Sequence, residues 1–212
     1  TFEDNKAKNN FGGAISLFGE ANIYYSDFNR NTARNQGGAI HSSETTKKAT
    51  RVYNSNFDAN GVTTGVGNHY GGAIYCADVI ENCNFTNNYA HSGGAIYQWK
   101  NHGYRLTVKN STFTKNNAVD VAGAAYAHYG GNFIDCKFYD NTAGGSGGAI
   151  GGWNQIAQNC LFVNNRAKLG GAVGGAVSGV LFGIFGMVAY IFPILLLVGS
   201  FFAISNRGNS IA

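Results

Sequence analysis

The sequence of 212 residues predicts an all-β chain, a parallel β-helix, followed by a C-terminal transmembrane α-helix. Three observations carry this reading. A unit F-x-x-N-x-A, a variable stretch and G-G-A-I recurs seven times, with its Phe at positions 2, 28, 57, 85, 113, 138 and 162. The residues around each Phe alternate with the period of a strand. Finally, the 38 residues between Lys168 and Arg207 carry no charge.

The repeat spacing of 24 to 29 residues suits one coil of a β-solenoid, so about seven coils with about three short strands each are expected. The paired motifs are clearest in Phe28, Asn31, Gly37 and Gly38, in Phe85, Asn88, Gly93 and Gly94, and in Phe138, Asn141, Gly147 and Gly148. Leucine-rich repeats have a similar length, but their L-x-x-L-x-L skeleton is missing. Five residues before the Phe stand Ile23, Val52, Ile80, Val108 and Phe133, with Ala157 as the exception. Two residues before it stand Ser26, Ser55, Cys83, Ser111, Cys136 and Cys160, which strand alternation points inward together with the Phe. Three residues before it, Asn54, Asn82, Asn110, Asp135 and Asn159, with Tyr25 in the first coil, read as an asparagine ladder at a turn, because Asn tolerates left-handed backbone.

The Gly pair lets the chain turn a tight corner before Ala-Ile begins the next strand. The fifth copy is degenerate, with Ala122-Gly123-Ala124-Ala125, and the third is interrupted by an insertion from Gly61 to Tyr70. Cys83, Cys136 and Cys160 share an inward column with Ser and read as a stack of small core residues, with a Cys136–Cys160 disulfide as the alternative. None of the four cysteines has CxxC spacing, so zinc and thioredoxin-type chemistry are poorly supported.

Residues 177–204 read as helical membrane sequence: 28 residues at about 1.5 Å each exceed a hydrocarbon core of about 30 Å, so one tilted helix kinked at Pro193 fits. Gly175, Gly179 and Gly183, preceded at the same spacing by Gly171, form a small-xxx-small face able to seat another helix. The chain therefore divides into a repeat domain (1–173), a membrane segment (174–206) and a short polar tail (207–212). It begins at Thr1 without a Met or an export signal and is expected to be a fragment or a processed product.

The paired G-G-A-I and F-x-x-N tetrapeptides resemble the signature of the chlamydial polymorphic outer membrane proteins and the related right-handed β-helix repeats of adhesin-like proteins. This resemblance, over residues 1–173, implies a single-stranded right-handed parallel β-helix, pectin-lyase-like in architecture. It also implies a surface-displayed or secreted passenger domain used in adhesion, with no catalytic residues. The tail departs from the β-barrel that ends those proteins. Over residues 177–212, from Val177 through Phe182-Gly183-Ile184-Phe185-Gly186 to Ser205-Asn206-Arg207-Gly208-Asn209-Ser210, it is similar to an N-terminal membrane segment of FtsK-type DNA translocases. A natural surface protein with a membrane anchor and a fused or chimeric reading frame are both compatible with this join.

Function follows from what the repeat leaves on its outside. If the Ile of G-G-A-I points inward, the next column is Ser16, His41, Tyr75, Tyr97, Tyr126 and Gly151, so three tyrosines form an outward stripe about 10 Å long. Trp99 and Trp153 lie two residues beyond it with the same parity. Tyr75, Tyr97, Trp99, Tyr126 and Trp153 are the candidate ligand-binding residues, rimmed by the insertion Gly61 to Tyr70 and the loop Lys100 to Arg105, because aromatic rings stack on sugars and peptides.

A polysaccharide lyase or hydrolase of the pectin-lyase-like class is the alternative, since parallel β-helices host such enzymes. It needs clustered carboxylates, and the eleven acids here are scattered, with Asp135 and Asp140 the least poor pair. The five His residues lack metal-ligand spacing and are expected in loops or on the surface. No phosphate loop or catalytic triad is present, and a net charge of +4 from 15 basic and 11 acidic residues is too dilute for nucleic-acid binding. The expectation is a cell-surface module without cofactor or metal, tethered to the membrane through residues 177–204 with the solenoid extracytoplasmic. It binds a glycan or a host or neighbouring-cell protein laterally, with helix–helix association possible through the Gly face.

Overall fold

A computed structural model describes residues 1–43, 49–63, 69–100 and 105–169 and the backbone of 173–174. The segment 177–204, Gly175, Gly179 and Gly183, the tail 207–212 and the translocase-like stretch lie outside the described residues. Within Thr1–Gly179, the described residues form a parallel β-solenoid of right-handed type. Each coil carries four short strands rather than the three expected. In the coil that starts at Phe85's strand they are Asn84–Thr86, Tyr89–Ala90, Ile96–Gln98 and Leu106–Lys109. Equivalent strands stack in parallel into four sheets of seven, seven, seven and six strands. Seven Phe strands enclose about six full turns, one fewer than the number of repeats. The extra strand per coil comes from splitting F-x-x-N-x-A at a left-handed residue two places after the Phe, such as Asn87 (φ 55) or Asp140 (φ 54). The chain bends there, and Phe and Ala fall on different sheets.

The repeat columns become ladders. Phe28, Phe57, Phe85, Phe113 and Phe138 are buried and pair in register from coil to coil. Their ring planes lie within 7° of parallel and their centroids 4.8 to 4.9 Å apart, which is the strand spacing. Burying each ring contributes about 1.5–3 kcal/mol and each stacked pair about 0.5–1.5 kcal/mol more. Ser55, Cys83, Ser111 and Cys136 are buried two residues before the Phe, as alternation requires. All four cysteines are free thiols, so the Cys136–Cys160 alternative is not realised. Instead each donates to the carbonyl two residues back, Cys136 Sγ to Ile134 O at 3.3 Å and Cys160 Sγ to Gln158 O at 3.3 Å. The neighbouring Cys160 thiol, together with burial, pushes the Cys136 thiol up.

The asparagine ladder occupies a different column from the one the sequence suggested. The residues three before the Phe, Tyr25, Asn54, Asn82, Asn110, Asp135 and Asn159, are all left-handed, with φ between 46 and 55°. Side-chain bonds there link Asn82 to Asn54 (3.2 Å) and Asn159 to Asp135 (2.5 Å) at the exposed surface. The continuous ladder is the Asn of F-x-x-N. Asn88 Oδ1 accepts from the backbone N–H of Asn60 (2.9 Å) and from Asn60 Nδ2 (3.1 Å). Its own Nδ2 donates to Asn116 Oδ1 (2.9 Å) and to Phe57 O (3.0 Å). Asn31, Asn60, Asn116 and Asn141 repeat the pattern. Each fully buried amide thus uses both lone pairs and both protons, which is the condition for burying it without loss.

The Gly pair serves two distinct needs. Gly93 takes φ +63 and a Cβ there would stand 2.2 Å from Ile96 O of its own coil, whereas a Cβ on Gly94 would stand 2.1 Å from Gly123 O of the next coil. The degenerate fifth repeat substitutes only the first position, where Ala122 adopts φ 59, and keeps Gly123, whose Cβ would meet Gly148 O at 2.1 Å.

Candidate functional site

The Ile of G-G-A-I is buried in the main core in Ile40, Ile74, Ile96 and Ile150, and the next residue points out of it. Register aligns Ser16, His41, Tyr75, Tyr97, Tyr126 and Gly151 in one outer column. Their rings stack up the solenoid: Phe11 on His41 at 4.4 Å, His41 on Tyr75 at 5.4 Å, Tyr75 on Tyr97 at 5.8 Å and Tyr97 on Tyr126 at 4.8 Å. The parity expected from the sequence holds, but the middle of the stripe is not solvent-facing. Tyr70, at the end of the Gly61–Tyr70 insertion, lies 4.2 Å from the Tyr97 ring and 6.4 Å from the Tyr75 ring. With stacking above and below, only 2% of Tyr75 and 4% of Tyr97 remain exposed. These residues and Cys76 form a second apolar cluster outside the sheet. Burial there pushes the His41 imidazole down to about 4 and raises the Tyr126 phenol. His41 is therefore a buried strand residue rather than the loop or surface histidine expected, while His69 is buried but lies outside the strands.

The solvent-facing aromatics lie at the corner that follows this sheet. Gln98, Ala127 and Gly152 align on successive coils, and one residue further on come Trp99, His128 and Trp153. The Trp99 ring lies 3.9 Å from His128 and meets Tyr129 edge-on at 6.2 Å, while His128 and Tyr129 meet edge-on at 4.5 Å. Trp99, Tyr129 and Trp153 are 37%, 40% and 58% exposed. The scaffold beneath them is polar and closed. The Trp99 N–H donates to Cys76 Sγ (3.4 Å), Gln98 Nε2 to Ala77 O (2.7 Å), and Gln155 Nε2 to Ala127 O (2.7 Å) and Trp153 O (2.8 Å). Lys100, expected on a rim, is buried, and its Nζ donates to Asp78 Oδ2 at 2.7 Å. Asp78 Oδ2 also accepts the Thr50 N–H at 2.7 Å, which ties this corner to the coil before.

Of the five candidate binding residues, the structure therefore gathers Trp99 and Trp153 at one exposed corner, leaves Tyr126 half-buried beside it and makes Tyr75 and Tyr97 its support. His128 and Tyr129 were missed. The one sequence signal is that His128 occupies the position equivalent to Trp99 and Trp153 in the neighbouring coils, with Tyr129 directly after it. The acids are dispersed among local partners: Glu3 and Asp4 on Arg30, Glu20 on Arg51, Asp27 on Asn56, Asp58 on Asn87 and Asp135 on Asn159. Among the described residues no group of His, Cys, Asp and Glu has the arrangement of a metal site.

Three stretches, residues 26–43, 82–98 and 135–152, match the family model of the Chlamydia polymorphic membrane protein repeat. Each begins two or three residues before the Phe and runs through the Gly corner. Three coils of the solenoid thus carry stretches similar to that repeat. No curated protein and no solved structure matches the chain. The matched repeat is one described from membrane proteins. Among the described residues no helix is long and apolar enough to cross a membrane.

Proposed function

We propose that the chain is a non-enzymatic, adhesin-like surface module whose β-solenoid, held to the membrane by residues 177–204, binds a glycan or protein through the aromatic corner at Trp99, His128, Tyr129 and Trp153. The observation that carries this reading is large aromatic rings left in solvent on successive coils. They sit on a backbone fixed by parallel strands, buried Gln side chains and a buried ion pair. A polymorphic membrane protein repeat supplies the rigid stack, and the side chains at its corners are free to differ from coil to coil. Exposed aromatics grouped on a rigid scaffold mark interaction sites. The test is a binding screen of the full chain in detergent micelles against glycan and host-protein arrays, repeated with Trp153→Ala and Trp99→Ala. Loss of a hit in either variant with an unchanged far-UV circular dichroism spectrum supports the corner. Hits that persist in both variants place the binding surface elsewhere.

A further inference from the structure

The aromatic corner carries one cation that the scaffold does not neutralise. Arg105 is exposed at the start of the strand Leu106–Lys109. Arg30 and Arg51 each face a carboxylate, as does Lys100, but among the described residues Arg105 faces none. Its guanidinium is nonetheless held. Nη1 donates to Asn132 Oδ1 of the next coil at 3.4 Å, and the group lies over Gly130, where a Cβ would stand 3.2 Å from Nε and 3.3 Å from Cζ. The same point is 3.2 Å from Asn154 O of the coil beyond. Gly130 (φ +117) thus makes room for the charge directly after Tyr129, and Asn154 directly follows Trp153. A guanidinium held over the backbone next to Tyr129, at the corner that also carries Trp153, is placed to read an anion. Its fork geometry suits a carboxylate, and the rings beside it suit the apolar face of a pyranose.

Resting on the reading above, we propose that the corner binds an acidic saccharide, a sialic or uronic acid residue of a surface glycan, with Arg105 donating to its carboxylate while the ring stacks on Trp153 or Tyr129. A peptide ligand has less to hold. Strands of the inner coils are hydrogen-bonded on both edges, so none is free to accept an added strand.

The chain has two tryptophans, Trp99 and Trp153, and both lie at this corner, so intrinsic fluorescence reports on it directly. The experiment titrates the full chain in micelles with sialyllactose against its methyl ester, and with tetragalacturonate against its methyl ester. Each pair differs in the charge but not in the sugar that stacks. An acidic sugar is expected to bind about tenfold or more tighter than its neutral partner, the range of a charged hydrogen bond. Arg105→Gln should abolish that preference, Arg105→Lys should restore part of it, and affinity should fall as salt rises. Trp153→Ala should weaken acidic and neutral members alike. Equal binding of the members of both pairs with an inert Arg105→Gln overturns the acidic-sugar assignment and leaves the aromatic corner standing. Silence towards all four saccharides, with a protein hit that Trp153→Ala removes, overturns the sugar class but not the corner. No hit sensitive to Trp153→Ala or Trp99→Ala in any screen overturns both.

Discussion

Replacing Asn88 by Ala tests whether the buried amide ladder, more than the Phe stack alone, holds adjacent coils in register. The substitution removes the acceptor of the Asn60 backbone N–H (2.9 Å) and of one Asn60 Nδ2 proton (3.1 Å), and the donor to Asn116 Oδ1 and Phe57 O. Asn116 Oδ1 keeps the Asn88 backbone N–H at 3.0 Å, so the main loss is two buried donors of Asn60 without partners. At about 1–3 kcal/mol per orphaned buried group, the expected cost is about 4 kcal/mol. For a chain of this size that is a fall of about 8–16 °C in thermal midpoint. The control is Asn117→Ala, which removes an exposed bond to Thr142 Oγ1 (2.6 Å) and should cost under about 0.5 kcal/mol. Circular dichroism melts of the full chain give the midpoints. Amide hydrogen exchange should show the loss of protection concentrated in the coils flanking Asn88, because neighbouring repeats share stability pairwise. A midpoint for Asn88→Ala within 2 °C (roughly 0.5 kcal/mol) of the Asn117→Ala value would refute the ladder argument.

The two glycines of one corner should respond differently. Gly93→Ala (φ +63, Cβ 2.2 Å from Ile96 O) should cost at least about 1–2 kcal/mol yet still fold, as Ala122 (φ 59) does at the equivalent position, whereas Gly94→Ala places a Cβ 2.1 Å from Gly123 O of the next coil and should prevent native stacking of that coil; equal effects on solubility and melting would contradict this. His41 stays neutral in the fold with its imidazole pushed down to about 4, while the unfolded chain takes up a proton below about pH 6.5. Stability is therefore complete above that pH and falls as the pH drops towards 4, by at most about 1.4 kcal/mol per pH unit from this group. His41→Phe should flatten that part of the denaturation profile, and an unchanged profile would show that His41 does not carry it. For the buried pair, Lys100→Met should cost about 3–5 kcal/mol because Asp78 is left charged and buried. Adding Asp78→Asn, which keeps an acceptor for the Thr50 N–H, should recover most of the loss, and additive losses in the double-mutant cycle would argue against direct coupling.

The sequence determined the coil by itself. Its period, the Phe column, the inward Ser and Cys column and the Gly corner are periodic features, and each recurs because every coil meets the same neighbours. Two periodic details were still misread, because spacing does not report where the backbone turns. A left-handed residue after the Phe splits one strand into two and moves the amide ladder to the Asn of F-x-x-N. Exposure was beyond the sequence for a different reason. Parity shows that Tyr75 and Tyr97 point away from the core, but only the folded chain shows Tyr70 arriving from an insertion to cover them. The corner itself combines residues from three coils, Trp99, Tyr129 with Gly130, and Trp153, and depends on a Gly that makes room for the guanidinium of Arg105. Contacts across coils join positions some 25 residues apart that share no motif, so only the tertiary structure brings them together.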